Sequence, residues 1–187
     1  MQEKGKRLMR VLVTQEALER RVAELAAEID RDYAGSGTLL CIGVLKGSVF
    51  FMVDLLKQLS VPVAIDFFQT SSYGSSTTPG EVRIRKDVDI GVRGRDVLLI
   101  EDIVDTGHTL NTILGLLRFR GARSVKLCAL LDKREAREVA VQIDYRGFEI
   151  ENLFVVGYGL DFDERYRNLP YIAVLEGEAG DLVPSPS

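Results

Sequence analysis

Apolar residues recur along this chain in two distinct patterns. Between 15 and 33, Leu18, Val22, Leu25, Ile29 and Tyr33 follow one another at steps of three and four, which puts them on one face of an amphipathic helix. Thr14 can cap its first turn, and Gly35 follows its end. TLLCIGV (38–44) is instead a continuous apolar run of strand length, and PVAIDFF (62–68) also reads as a strand. SVFFMVDLLKQL (48–59) is apolar nearly all round, so it should be buried or lie at a subunit contact. VLLI (97–100) and SVKLCALL (124–131) are two further apolar strands. Between them Leu110, Ile113, Leu114 and Leu117 return at helical spacing. Arg118 and Arg120 suit the carboxyl end of that helix, and Gly121 ends it. LFVVGY (153–158) and YIAVL (171–175) predict two last strands.

Apolar strands separated by helices predict an α/β fold with a central parallel sheet covered by helices on both faces. TSSYGSSTTPG (70–80) has one tyrosine among small and polar residues and cannot bury itself, which predicts a mobile loop rather than a domain linker. The mixed, alternating EVRIRKDVDI continues from it to the turn at Gly91 and Gly94. The tail EGEAGDLVPSPS has the composition of a disordered segment, so a single domain over 1–178 and a disordered 179–187 are expected.

Composition narrows the class further. A net charge of −4 and a pI near 5.2 give no support to nonspecific nucleic-acid or membrane binding. The basic start MQEKGKRLMR is not followed by the apolar stretch of a signal peptide, and no run is long enough to span a bilayer, which predicts a cytoplasmic protein. Cys41 and Cys128 sit in separate apolar runs without CxxC spacing and read as two buried, reduced thiols. The single histidine cannot build a metal site by itself.

The chemistry concentrates in VLLIEDIVDTGHTL (97–110), where an apolar strand runs into Glu101, Asp102 and Asp105 at the start of a helix. In open α/β sheets ligands bind beyond the carboxyl ends of the strands, where helix-start N–H groups face the crevice. There Thr106, Gly107, His108 and Thr109 would present consecutive N–H groups and two hydroxyls, and Gly107 has no Cβ to prevent close approach. That arrangement is a phosphate cradle. Neither GxxxxGK[ST] nor GxGxxG occurs, so it is neither a P-loop nor a dinucleotide fingerprint. Glu101 and Asp102 can accept hydrogen bonds from vicinal sugar hydroxyls and attract the magnesium that accompanies a diphosphate. Asp105, one turn later, can take a proton. A phosphorylated sugar carrying pyrophosphate accounts for the whole set.

EDIVDTGHT (101–109) resembles the phosphoribosyl-diphosphate motif of the type I phosphoribosyltransferases, in the form typical of their purine-salvage branch. With four further stretches the resemblance covers about residues 10–175. It implies that family's central parallel sheet, with a small hood built from about 1–14 and 150–175. LKGS (45–48) is similar to the family's pyrophosphate loop, which implies a cis peptide before Lys46 that carries the Lys46 N–H toward the diphosphate, with Gly47 in the same binding set. LLDKRE (130–135) puts Lys133 where relatives carry the lysine that donates to purine O6. An ammonium has donors and no acceptor, so it suits a 6-oxo group and leaves adenine's 6-amino group without a partner. FVVGYGLDFDERYRNLPYI (154–172) implies Phe154 stacked on the purine, Val155 recognising it through the backbone, Asp161 near the base and the pyrophosphate as a magnesium ligand, and Arg167 on the pyrophosphate. Ser72 and Tyr73 match the Ser-Tyr pair of a loop that closes over the site and excludes water. His108 stands where many relatives carry lysine or arginine. It keeps its backbone N–H in the cradle, while a neutral imidazole would add no charge there.

The resemblance implies transfer of a 5-phosphoribosyl group from phosphoribosyl diphosphate to N9 of hypoxanthine or guanine, giving IMP or GMP and pyrophosphate. Mg²⁺ would be held by Glu101, Asp102 and Asp161, and with Lys46 and Arg167 it would stabilise the leaving pyrophosphate. Asp105 would receive the N7 proton. A homodimer or homotetramer is expected from the family pattern and the apolar 48–59 helix. The rival is a regulatory relative that senses a nucleotide and binds nucleic acid. The acidic net charge and the want of a spare helix-turn-helix segment count against it.

Overall fold

The computed structural model describes residues 8–72 and 82–176. Helix α1 (Gln15–Tyr33) opens with the Thr14 hydroxyl accepting from the Ala17 N–H at 3.2 Å, and it buries Leu18, Val22, Leu25, Ala26, Ile29 and Tyr33. It lies against one face of a six-stranded sheet of order β4-β3-β2-β5-β6-β7. These strands are β2 (Leu39–Leu45), β3 (Val63–Ser72), β4 (Val82–Lys86), β5 (Asp96–Val104), β6 (Ser124–Asp132) and β7 (Tyr145–Glu149). All neighbours pair in parallel except β3 and β4.

Alternation along the central strands sorts their side chains into two cores. Leu39, Cys41, Leu98 and Ile100 join the cluster under α1 and α2 (Val49–Gln58). Leu40, Ile42, Val97 and Leu99 join the cluster under α3 (His108–Phe119). A strand buried on both faces has no polar side, which is why β2 reads as an unbroken apolar run. Both cysteines are buried, and burial pushes the Cys41 thiol up to about 12. On α2, Phe51, Met52 and Leu55 are buried, whereas Phe50 and Val53 are exposed.

A second, antiparallel sheet of order β1-β9-β8 joins β1 (Leu8–Val13) to β9 (Ile172–Glu176) and the short β8 (Val155–Val156). Among the described residues no helix is long and apolar enough to cross a membrane.

Several elements differ from the sequence expectation. Strand β5 extends past Ile100 to Val104, so Glu101 and Asp102 lie within it, because parallel pairing with β6 continues through Glu101↔Ala129 to Val104↔Asp132. Thr70, Ser71 and Ser72, expected in a loop, pair antiparallel with β4 and complete β3. The rest of that expected loop, including Tyr73, lies outside the described residues, as does the expected disordered tail. The strand expected over 153–158 shrinks to two residues, since Gly157, Tyr158 and Gly159 all take positive φ and turn the chain. Strands β1, β4 and β7 went unpredicted. LMRVLV, VRIRK and YRGFE are short and interleaved with charge, and they form by pairing at sheet edges.

Candidate active site

The strand order locates the crevice. From β2 the chain moves outward to β3, then returns to the other side of β2 as β5, so the connections leaving β2 and β5 diverge. Such a reversal opens a cleft at the carboxyl ends of the two strands. A cleft of about 320 Å³ lies there. Lys46 and Gly47 line it from the end of β2, and Glu101, Asp102, Asp105, Thr106, Gly107 and Thr109 from β5 and the start of α3. Asp161 and Arg167 complete it from the segment after β8.

Gly107 turns the strand into the helix. It is the residue before α3, with φ 94° and ψ −9°, and a Cβ there would meet the Val139 carbonyl oxygen at 2.6 Å. The Thr106 carbonyl accepts from the N–H groups of Glu138 and Val139, both at 3.0 Å, while Arg137 Nε donates to the Asp105 carbonyl at 3.0 Å. The turn is therefore braced from behind by 137–139. The first amides of a helix have no partner within it, so those opening α3 are free to bind an anion in front. The His108 ring does not join the cleft lining; its Nε2 lies 2.9 Å from Glu138 Oε2.

On the opposite wall the Leu45–Lys46 peptide is cis. Gly47 is packed so closely that a Cβ would lie 1.7 Å from Asp102 Oδ2. Glu101 and Asp102 are both buried, and Asp102 Oδ1 accepts from the Ile103 N–H at 3.0 Å. Burial first, then the neighbouring Asp102 carboxylate, hold Glu101 well above the ordinary carboxylate range. Two buried acids in this relation suit a cation bound between them and the solvent.

Arg167 donates through Nη1 to the Gly159 carbonyl at 2.7 Å, and its Nη2 lies 2.8 Å from Asp161 Oδ1 and 3.3 Å from Glu164 Oε2. Lys46 Nζ lies 3.0 Å from Glu164 Oε1. Among the described residues, the buried Arg167 Nε has no hydrogen-bond partner.

Lys133, Phe154 and Val155 fall outside the cleft lining. Lys133 follows β6 directly, is buried, and directs Nζ to 3.7 Å from Asp105 Oδ2. Phe154 is 40% exposed, and its ring meets Phe162 edge-on with centroids 5.5 Å apart. Val155 is buried in β8 opposite Val174. Ser72 ends β3, and Tyr73 lies outside the described residues.

Sequence reasoning missed Arg137, Glu138, Phe162 and Glu164. The first two sit in the charged run KREAREV, where nothing in spacing separates a bracing arginine from a solvated one. Phe162 and Glu164 lie inside the quoted 154–172 stretch, yet their roles depend on a turn of left-handed residues that their side chains do not advertise.

Residues 11–163 match the phosphoribosyl transferase domain family. The hypoxanthine-guanine phosphoribosyltransferase of Bacillus subtilis (strain 168) is 49% identical over 168 residues, 89% of this chain and 93% of that protein. The bifunctional protein TilS/HprT of Listeria innocua is also 49% identical, over 91% of this chain, but the chain spans only 26% of that longer protein. Among solved structures, a hypoxanthine-guanine phosphoribosyltransferase from Bacillus anthracis, with a HEPES molecule in its active site, superposes with a TM-score of 0.87. It is 41% identical, and the match covers 91% of this chain and all of that one.

Proposed function

The chain belongs to the phosphoribosyl transferase family, and we propose that it transfers the 5-phosphoribosyl group of phosphoribosyl diphosphate to a 6-oxopurine in purine salvage. Hypoxanthine and guanine are the acceptors, and IMP or GMP and pyrophosphate the products. One observation carries the choice of base: Lys133 Nζ and Asp105 Oδ2 lie 3.7 Å apart beside the phosphate cradle. A 6-oxopurine exposes O6 and N7 side by side on one edge. An ammonium that donates to O6 and a carboxylate that receives the N7 proton therefore address that edge together. Adenine would leave the Lys133 donors facing another donor.

In this reading the amides from Thr106 to Thr109 hold the 5′-phosphate, and Glu101 and Asp102 hold the ribose hydroxyls. Lys46, Gly47 and Arg167 face the diphosphate, whose departure they assist by neutralising developing charge. Asp105 is the proton acceptor, a role worth roughly 10²–10⁴-fold in rate. Phe154, with Phe162 at its edge, supplies an aromatic face for the base, and the Val155 backbone recognises it.

The acids also fit a magnesium ion. Glu101 and Asp102 offer adjacent buried carboxylates. Both Asp161 oxygens are engaged, by Arg167 and by the Glu164 N–H at 3.0 Å, but each keeps a lone pair for a metal or its waters. Among the described residues no three metal-ligating side chains form a cluster, so Glu101, Asp102 and Asp161 do not come together as one ligand set. Bound there, Mg²⁺ would supply charge neutralisation at the diphosphate. The same reading includes a cytoplasmic enzyme of two or four copies, with Phe50 and Val53 on the exposed side of α2 available for subunit contact.

Initial rates of pyrophosphate release with hypoxanthine, guanine, xanthine and adenine, in the presence of phosphoribosyl diphosphate and Mg²⁺, test the reading. Turnover of hypoxanthine or guanine far above adenine is expected. Equal turnover of adenine would overturn the assignment of Lys133, and release with none of the four bases would overturn the function.

A further inference from the structure

Glu164 has no part in the function proposed above, yet it pairs with both cations assigned to the diphosphate, sharing Arg167 with Asp161, whose Oδ1 lies 2.8 Å from Nη2. Its Oε1 lies 3.0 Å from Lys46 Nζ and its Oε2 3.3 Å from Arg167 Nη2. Lys46 follows β2 and Arg167 follows β8, so one carboxylate ties together two segments far apart in the sequence. The turn that presents it is specific. Asp163 and Glu164 take left-handed backbone angles (φ 53° and 57°), the Phe162 N–H donates to the Arg165 carbonyl at 3.2 Å, and the Glu164 N–H donates to Asp161. Residues with a Cβ rarely adopt such angles, and they gather at ligand clamps and switches. Glu164 does not line the cleft itself, so it reaches its partners from the rim.

We propose that Glu164 is an internal counter-anion that occupies Lys46 and Arg167 until a pyrophosphate group displaces it, and that it thereby weakens binding of phosphoribosyl diphosphate and speeds release of pyrophosphate. The proposal rests on the assignment of Lys46 and Arg167 to the diphosphate. A carboxylate offers the same two-oxygen face to these cations as one phosphoryl group, with less charge, so the diphosphate wins the exchange when present. The buried Arg167 Nε, without a hydrogen-bond partner among the described residues, remains as an additional donor once the guanidinium turns from Glu164 to a ligand. The Lys46 pair is exposed at both ends and the Arg167 pair at its Glu164 end, so each opposes the ligand only modestly. This suits a contact that must open in every cycle.

Calorimetric titration of the full chain with inorganic pyrophosphate and Mg²⁺, and separately with IMP, tests this. Glu164→Gln keeps the shape and removes the charge. It is expected to lower the Kd for pyrophosphate about three- to tenfold, the scale of one or two exposed ion pairs, while leaving the Kd for IMP unchanged because IMP carries no pyrophosphate. Glu164→Asp, which keeps the charge on a shorter arm, should fall between the two. A Glu164→Gln protein that binds pyrophosphate no more tightly than the parent, or that shifts for both ligands alike, overturns the counter-anion role and leaves the function standing. A parent protein that binds no pyrophosphate overturns the diphosphate assignment and the inference with it, and a Lys46→Ala protein that binds it as tightly as the parent removes the Lys46 ammonium from the exchange and overturns the inference alone.

Discussion

A Cβ on Gly47 would lie 1.7 Å from Oδ2 of Asp102, so the loop after β2 and the acidic pair in β5 fit only while position 47 has no side chain. The two walls of the cleft are thus set closely against each other at this point. Gly47→Ala must push either Asp102 or the Lys46 peptide aside. Misplacement of reacting groups by about 1 Å costs on the order of 10²-fold in rate. A loss of kcat/KM for phosphoribosyl diphosphate on that scale is expected. Steady-state kinetics check it, and unchanged kinetics would show that the contact does not set the site.

Asp105 can be separated from the groups that merely bind. Asp105 lines the cleft, and its carbonyl is held by Arg137. Asp105→Asn preserves size and the backbone brace but cannot accept a proton. Turnover should fall by roughly 10²–10⁴-fold with little change in KM. Normal turnover would remove Asp105 from the mechanism.

Lys133 is buried beside Asp105, and its proposed task is discrimination between bases. Lys133→Met should reduce kcat/KM for hypoxanthine by about tenfold to a hundredfold, the scale of a lost hydrogen bond from a charged donor. The rate with adenine should change far less, so the ratio of the two narrows. A uniform fall for both bases would mark the lysine as structural.

Far from the cleft, Asp96 governs part of the acid stability. The hydrogen bond from Arg123 Nε at 3.0 Å outweighs burial and, with the Ser124 hydroxyl at 2.7 Å, holds the Asp96 carboxyl below the ordinary range. A carboxyl whose pKa is lowered by folding contributes stability that is complete above its unfolded pKa, about 3.9, and is lost as pH falls through the lower folded value. Asp96→Asn should lower the melting temperature at neutral pH, and the gap from the parent should close as pH falls below about 4. Melting curves from pH 6 to pH 2 check this, and a constant gap would contradict it.

Periodicity made the central layers of the fold legible. The helix over 15–33 and the strands around Cys41 and Cys128 could be read because a buried face imposes its repeat on the chain. Edge strands such as β4 and β7 could not, since their stability comes from pairing with neighbours distant in sequence. The end of β5 was hidden for the opposite reason: Glu101 and Asp102 look like a loop by composition, yet the ladder to β6 holds them in strand geometry. The cradle was legible because Thr106, Gly107, His108 and Thr109 are contiguous. Its brace was not, because Arg137 acts through a backbone carbonyl 32 residues earlier, a relation that exists only after folding.

The account depends most on the amides beginning at Thr106. A crystal structure with phosphoribosyl diphosphate and Mg²⁺ bound would test it most directly. The 5′-phosphate is expected against the Thr106–Thr109 N–H groups, the ribose hydroxyls at Glu101 and Asp102, and the diphosphate facing Lys46 and Arg167. A ligand seated elsewhere, with that cradle empty, would contradict it.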